Sequence, residues 1–171
     1  MRWDVAAPYN GAAELARELR TSPLIAQILH NRGSRDVETA QAFLTPKLSD
    51  LLDPEELPGT AAAAQRITQA IKAKQRIVIY GDYDVDGIAS VAILHACIRT
   101  LGAEAHFYVP HRLEEGYGVN ARAVEKLIHR GMDLLITVDC GISATEPLRA
   151  AGEAGVDVII TDHHNPPQDL P

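Results

Sequence analysis

The chain has 171 residues, 46% of them apolar and 23% charged, with a formal net charge of −7, which are ordinary proportions for a folded domain. No apolar run reaches the ~20 residues of a membrane span, residues 1–10 lack a basic-then-apolar signal, and the two cysteines, Cys97 and Cys140, exclude a disulfide framework or a Cys-x-x-Cys zinc knuckle. The expectation is a cytoplasmic protein with no membrane partner; the negative balance excludes a general nucleic-acid-coating module, but not an enzyme on nucleic acid, since carboxylates gathered around cations make a site acidic.

The first part reads as helical. Ala12, Leu15, Ala16 and Leu19 keep a helical period. Ser22-Pro23 is a helix start, Ser as cap and Pro at the first position, with Leu24, Ile25, Ile28 and Leu29 on one face and Gly33 at the end. Asp36 caps a short helix that Pro46 stops, and Lys47 to Gly59, with Pro54 and Pro58, is a connection. Thr60 caps a further helix from Ala61 to about Lys74, with Ala64, Ile67 and Ile71 inward. At Arg76 the texture changes. Apolar runs at 76–80, 105–109, 134–138 and 156–161 are of the kind that forms buried parallel strands. Helical patterns alternate with them at Gly87–Leu101 (Ile88, Val91, Ala92, Leu94 and Ile98 in phase), Asn120–His129 and Ser143–Ala154. This alternation predicts an α/β fold, a parallel sheet with helices on both faces, preceded by a helical segment. The expected boundary is a helical leader over 1–75 and the α/β domain over 76–171. No helix follows the last strand to cover it, and the tail from Asn165 to Pro171 carries three prolines, so a truncated domain is expected.

Three segments share one grammar, an apolar strand followed by acids: Asp82-Tyr83-Asp84-Val85-Asp86-Gly87, Asp139-Cys140-Gly141 and Asp162-His163-His164. In an open α/β sheet ligands bind beyond the carboxyl ends of the strands, and all three groups fall at that edge. If the strands are neighbours, up to five aspartates and two histidines converge there. Like charges so close repel unless cations intervene. Carboxylates with imidazole suit Mn²⁺ or Mg²⁺, histidine tilting the choice to Mn²⁺. A pair of such ions about 3.5–4 Å apart suits in-line attack on a phosphodiester. Singly, each feature has a plainer reading: Asp139 as a loop residue or cap, Asp86 as a charge serving a helix N-terminus, the His-His pair as surface. His111 to Asn120 follows the second strand. In it Arg112 is suited to fork onto a phosphate, Gly116 and Gly118 to close backbone approach, and Tyr117 to stacking on a base; an ordinary polar loop ending in a cap at Asn120 is the other reading. Cys140 reads as a small buried residue, and His30, His95, His106 and His129 as structural or solvent-facing.

These motifs resemble those of the DHH phosphoesterase superfamily, named for its Asp-His-His triplet: Asp82 to Gly87 is similar to its first motif, Val138 to Gly141 to its second and Asp162 to His164 to its third. The run Arg112-x-x-Glu115-Gly116-Tyr117-Gly118-x-Asn120 and the helical leader from Ser22 through Leu44 resemble the family's single-strand-specific 5′→3′ DNA exonucleases of repair and recombination. The resemblance implies metal ligands at Asp82, Asp84, Asp86, Asp139 and His163, with Asp86 the least direct. It implies catalytic roles for Asp84, Asp139, His163 and His164, a histidine-orienting role for Asp162, and substrate contacts from Arg112, Tyr117, Gly118 and His164, the last on the scissile phosphate. It further implies two Mn²⁺ or Mg²⁺ ions, single-stranded DNA as substrate, a single-stranded-DNA-binding protein as a partner, and a monomer. The family's later aspartate ligand and its C-terminal substrate-gripping domain have no counterpart in these residues, so weak metal binding and little activity are expected of this chain alone. Alternatives are a DHH enzyme on short oligonucleotides, cyclic dinucleotides or pyrophosphate; a haloacid-dehalogenase-like phosphatase using Asp84-Val85-Asp86-Gly87; and a catalytically silent scaffold.

Overall fold

A computed structural model describes residues 4–171; residues 1–3, the start of the expected leader, lie outside the described residues. The helices of the first part are α1 (Ala12–Glu18), α2 (Pro23–Asn31) and α3 (Val37–Leu44), followed by single 3₁₀ turns at Leu48–Asp50 and Pro54–Glu56. Ser22 caps α2 and Asp36 caps α3, each side chain accepting a backbone N–H from three residues on (Ile25 at 3.3 Å, Thr39 at 2.8 Å). Leu15, Ala16, Leu19, Ala26, Leu29 and Ala40 form the core here. Leu24, Ile25 and Ile28, expected on the inner face, are instead 69%, 40% and 48% exposed. Burial on α2 belongs to Ala26 and Leu29, which join Leu15, Ala16, Leu19 and Ala40 in that core.

The second part comprises α4 (Thr60–Lys72), β1 (Ile77–Gly81), α5 (Val85–Thr100), β2 (Ala105–Tyr108), α6 (Ala121–His129), β3 (Leu134–Val138), α7 (Thr145–Glu153) and β4 (Asp157–Thr161). The chain divides into two units between Glu56 and Leu57, so α4, assigned by sequence to the leader, belongs with the sheet. Ala70 is fully buried in the same cluster as Ile77 and Ile79. Thr60 is the first helical residue rather than the cap. Gly59, at φ +84°, precedes it as the cap in a left-handed conformation that glycine adopts freely. Ala64 is exposed, while Ile67 and Ile71 rest against the core.

All three strand pairings are parallel and the order is β2-β1-β3-β4. Alternation along β1 and β3 separates two cores. Ile77, Ile79, Leu134, Ile136 and Val138 pack with α4 and α5 on one face. Val78, Tyr80 and Leu135 pack with α6 and α7 on the other. β1 and β3 are buried throughout, and each such side chain contributes roughly 1.5–3 kcal/mol by leaving water. On α5 the buried positions are Gly87, Val91 and Ile98. Ile88 and Ala92, inward by periodicity, are exposed, since the contact face begins one position earlier, at Gly87.

The order 2-1-3-4 has a functional corollary. From β1 the chain crosses outward to β2; from β3 it crosses the other way, to β4. Between the carboxyl ends of β1 and β3 the connections diverge and leave a crevice, the topological switch point where open α/β sheets take their ligands.

Candidate metal centre

The crevice is lined by the segments that leave the carboxyl ends of β1, β3 and β4. Asp82 directly succeeds β1 and is 1% exposed, with its Oδ1 buried and without a hydrogen-bond partner. Asp84 caps α5: its Oδ1 accepts the N–H groups of Asp86 and Gly87, both at 3.0 Å. Those bonds, the Gly87 N–H foremost, hold its carboxyl below the usual range. α5 starts this close to β1 only because residue 87 is glycine. A Cβ there would stand 2.5 Å from the Asp82 carbonyl oxygen. Asp86 is exposed on the first turn of α5.

Asp139 comes directly after β3 in the left-handed region, φ +60°, where Asp is among the few non-glycine residues found. Its N–H donates to the Thr161 carbonyl at 2.9 Å, which ties β3 to the end of β4. Burial raises the Asp139 carboxyl above its ordinary value, and the negative charge of Asp84 adds to the rise. His163 Nε2 stands 3.0 Å from Asp139 Oδ1. The Asp162 carboxylate is held in place from two sides: Oδ2 accepts the Ile142 N–H at 2.9 Å, and Oδ1 accepts the His164 N–H at 3.0 Å. The same Oδ1 lies 2.7 Å from His164 Nδ1, and that hydrogen bond raises the imidazole above its ordinary 6.5.

Ligand atoms of Asp139, His163 and His164 all lie within 4.8 Å of one another. His164, expected on the scissile phosphate, thus also sits where it can ligate. Asp82 and Asp84 reach the crevice from the β1 side but are outside that tightest group. The donor set fits a hard divalent cation: carboxylate oxygens and imidazoles converge, one buried carboxylate oxygen lacks any partner, and the neighbouring acids Asp84 and Asp139 repel one another when both are ionised. Cys140 is not part of the chemistry. It is 1% exposed, and burial pushes its thiol up to about 12.

The loop after β2 meets the same edge. Tyr117 Oη is 3.1 Å from His164 Nε2. The Arg112 guanidinium lies over the Tyr83 ring at 5.2 Å, and Tyr117 meets that ring edge-on at 6.2 Å. Gly118 is buried, its carbonyl accepting the Tyr80 hydroxyl at 3.1 Å. A cleft of about 160 Å³ opens here between Tyr117, Gly118, Gly141, Ile142, Asp162 and His164. Sequence reasoning passes over Tyr83; its one signal is its place between Asp82 and Asp84.

The profile of the DHH family, N-terminal domain, matches residues 76–171. The chain belongs to the DHH family. It is 44% identical over 172 residues to the single-stranded-DNA-specific exonuclease RecJ of Bacillus subtilis (strain 168), covering 100% of this chain and 22% of that protein. It is 40% identical over 168 residues to RecJ of Thermus thermophilus, covering 97% of this chain and 24% of that protein. A crystal structure of exonuclease RecJ bound to manganese superposes at a TM-score of 0.66 with 44% identity, over 71% of this chain and 31% of that one. RecJ in complex with Mn²⁺ from Thermus thermophilus superposes at 0.65 with 33% identity, over 99% of this chain and 24% of that one. The chain therefore spans about a quarter of the length of these relatives. The expected parallel sheet with its helical leader is the architecture observed. No helix among the described residues is long and apolar enough to cross a membrane.

Proposed function

We propose that this DHH domain forms the metal-binding half of a single-stranded-DNA-specific exonuclease that removes nucleotides from the 5′ end. The observation that carries the reading is the crevice at the ends of β1 and β3: Asp82, whose Oδ1 is buried and unpartnered, follows β1, and the neighbouring strand ends bring Asp139, His163 and His164 ligand atoms within 4.8 Å of one another. Asp82, Asp84, Asp139 and His163 would hold two Mn²⁺ or Mg²⁺ ions, with Asp86 close by on α5. When bound, such a pair activates a water and stabilises the leaving oxygen. The chain's own residues do the rest. Asp162 orients the His164 ring through Nδ1 and leaves Nε2 toward the cleft, for the scissile phosphate. Arg112 offers a fork of donors to an adjacent phosphate, Tyr117 an aromatic face for a base, and the Gly118 backbone close approach to the strand. The same reading carries a single-stranded-DNA-binding protein as partner, a monomeric state and a cytoplasmic setting.

The test uses the full-length protein with a 5′-labelled single strand and Mn²⁺. Asp84→Ala and Asp139→Ala should each abolish release of the labelled nucleotide. Cleavage at the wild-type rate by either variant would overturn the assignment.

A further inference from the structure

The loop that carries Arg112 and Tyr117 touches the metal centre through the Tyr117 hydroxyl, beside His164, but that contact is at its tip. The loop is held from beneath by a polar network that none of the proposed catalytic roles uses. Glu115 is its hub. Its Oε2 accepts the His111 N–H at 2.8 Å, pinning the loop's first residue. Its Oε1 accepts the Tyr108 hydroxyl at 2.5 Å and the Asn120 side-chain amide at 3.4 Å. Tyr108 ends β2 and Asn120 caps α6 through the Ala123 N–H at 2.8 Å, so one carboxylate joins both ends of the loop to the sheet and to a helix. A second knot lies beside it. The buried Tyr80 hydroxyl donates to the Gly118 carbonyl at 3.1 Å and receives the Asn120 side-chain amide at 3.1 Å. The charge state agrees with the geometry: these donors hold the Glu115 carboxyl below its usual value, and the Tyr108 phenol is pushed up to about 12, first by burial.

We propose that Glu115 is a positioning residue, which fixes the Arg112–Tyr117 loop in the conformation that grips the DNA strand, without itself touching metal or substrate. This rests on the exonuclease reading and deepens it. The loop residues from His111 to Asn120 would otherwise sample many conformations, and binding would have to order them. With the anchor in place the Arg112 guanidinium and the Tyr117 ring are already aligned on Tyr83.

The experiment compares wild type, Glu115→Ala, Glu115→Gln and Tyr108→Phe in the full-length protein. Binding of a labelled single strand is measured by anisotropy in EDTA, turnover with Mn²⁺, and Mn²⁺ affinity by calorimetry with the metal alone. Glu115→Ala should weaken strand binding and raise KM about tenfold, the equivalent of one charge-assisted hydrogen bond, with kcat and Mn²⁺ affinity near wild type. Glu115→Gln, which retains one acceptor, should recover part of the loss. In an Arg112→Ala/Tyr117→Ala background Glu115→Ala should cost less than about twofold, because its effect passes through those two side chains. Wild-type strand binding by a folded Glu115→Ala would overturn the proposal. So would an undiminished Glu115→Ala effect in the double-mutant background, or a parallel loss of Mn²⁺ affinity. If Glu115→Ala does not fold, Tyr108→Phe, which removes one oxygen, decides on the same criteria. Absence of single-strand cleavage by the wild type would instead refute the exonuclease reading and leave the anisotropy result to judge Glu115.

Discussion

The two ends of the sheet use the same residue type in opposite ways. At the N-terminal ends of the strands, Asp133 precedes β3 and its Oδ2 accepts the Arg76 N–H at 2.7 Å, while the Arg76 carbonyl accepts the N–H groups of Asp133 and Leu134. That carboxylate completes a structural seam. At the C-terminal ends, Asp82 is buried with an oxygen that nothing satisfies, and Asp139 sits in a left-handed conformation beside other acids. A hollow of about 730 Å³, far larger than the cleft of about 160 Å³ at the site, is at the N-terminal end, around Lys74, Arg76, Glu104, His106 and Asp133. Size therefore misleads here, and unfinished bonding is the better guide: buried polar groups are normally paired, so an orphan at a switch point indicates a partner of another kind.

The largest expected effect on this contrast comes from Asp162. Its two oxygens hold the Ile142 and His164 backbone and orient the His164 ring. Asp162→Asn in the full-length protein should weaken Mn²⁺ binding by about 10–100-fold, as outer-shell substitutions do, read by calorimetry. Affinity within about twofold of wild type would place Asp162 outside the metal's support.

A smaller effect tests the comparison by its sign. In EDTA, Asp82→Asn should raise the unfolding free energy by about 1 kcal/mol, because it replaces a buried carboxylate that has an unpartnered oxygen, while Asp133→Asn should lower it by about 0.5–1.5 kcal/mol through a damaged hydrogen bond. Added Mn²⁺ should stabilise wild type and Asp133→Asn but much less so Asp82→Asn. Denaturant melts with and without metal check all three. Destabilisation of the metal-free protein by Asp82→Asn would show that its carboxylate is structurally satisfied after all.

Much of this is legible in the sequence, for reasons that differ by element. The strands are readable because runs such as Leu134–Val138 are apolar on both faces, and the caps at Ser22, Asp36 and Asn120 because a side-chain acceptor three residues from a free N–H is a local device. Acids placed just after strands mark the edge of the site before any strand order is known. The hidden features depend on distance in sequence. The strand order 2-1-3-4, which brings Asp82 beside Asp139, comes from crossover geometry. The anchoring by Glu115 depends on β2 and α6 meeting the same loop. The inward face of α5 is shifted by Gly87, whose missing side chain a periodicity count scores as neutral although it is the closest point of contact with the end of β1.

The smallest effect concerns pH, and it too separates the ends. The partner of Asp133 is a backbone N–H, which does not titrate; one partner of Asp162 is an imidazole, which does. His164 has its folded pKa raised above 6.5 by the hydrogen bond to Asp162. The stabilisation from that pair is therefore full below pH 6.5 and is lost as pH rises through the raised value. NMR titration of the metal-free protein should give a His164 midpoint above 6.5, and Asp162→Asn should bring it back down. Mn²⁺ should also lower it, because a cation held beside the ring disfavours its protonated, positively charged form. A metal-free midpoint at or below 6.5 would mean that the Asp162–His164 pair does not hold in solution, and the ring would then lack the orientation that the cleft requires of it.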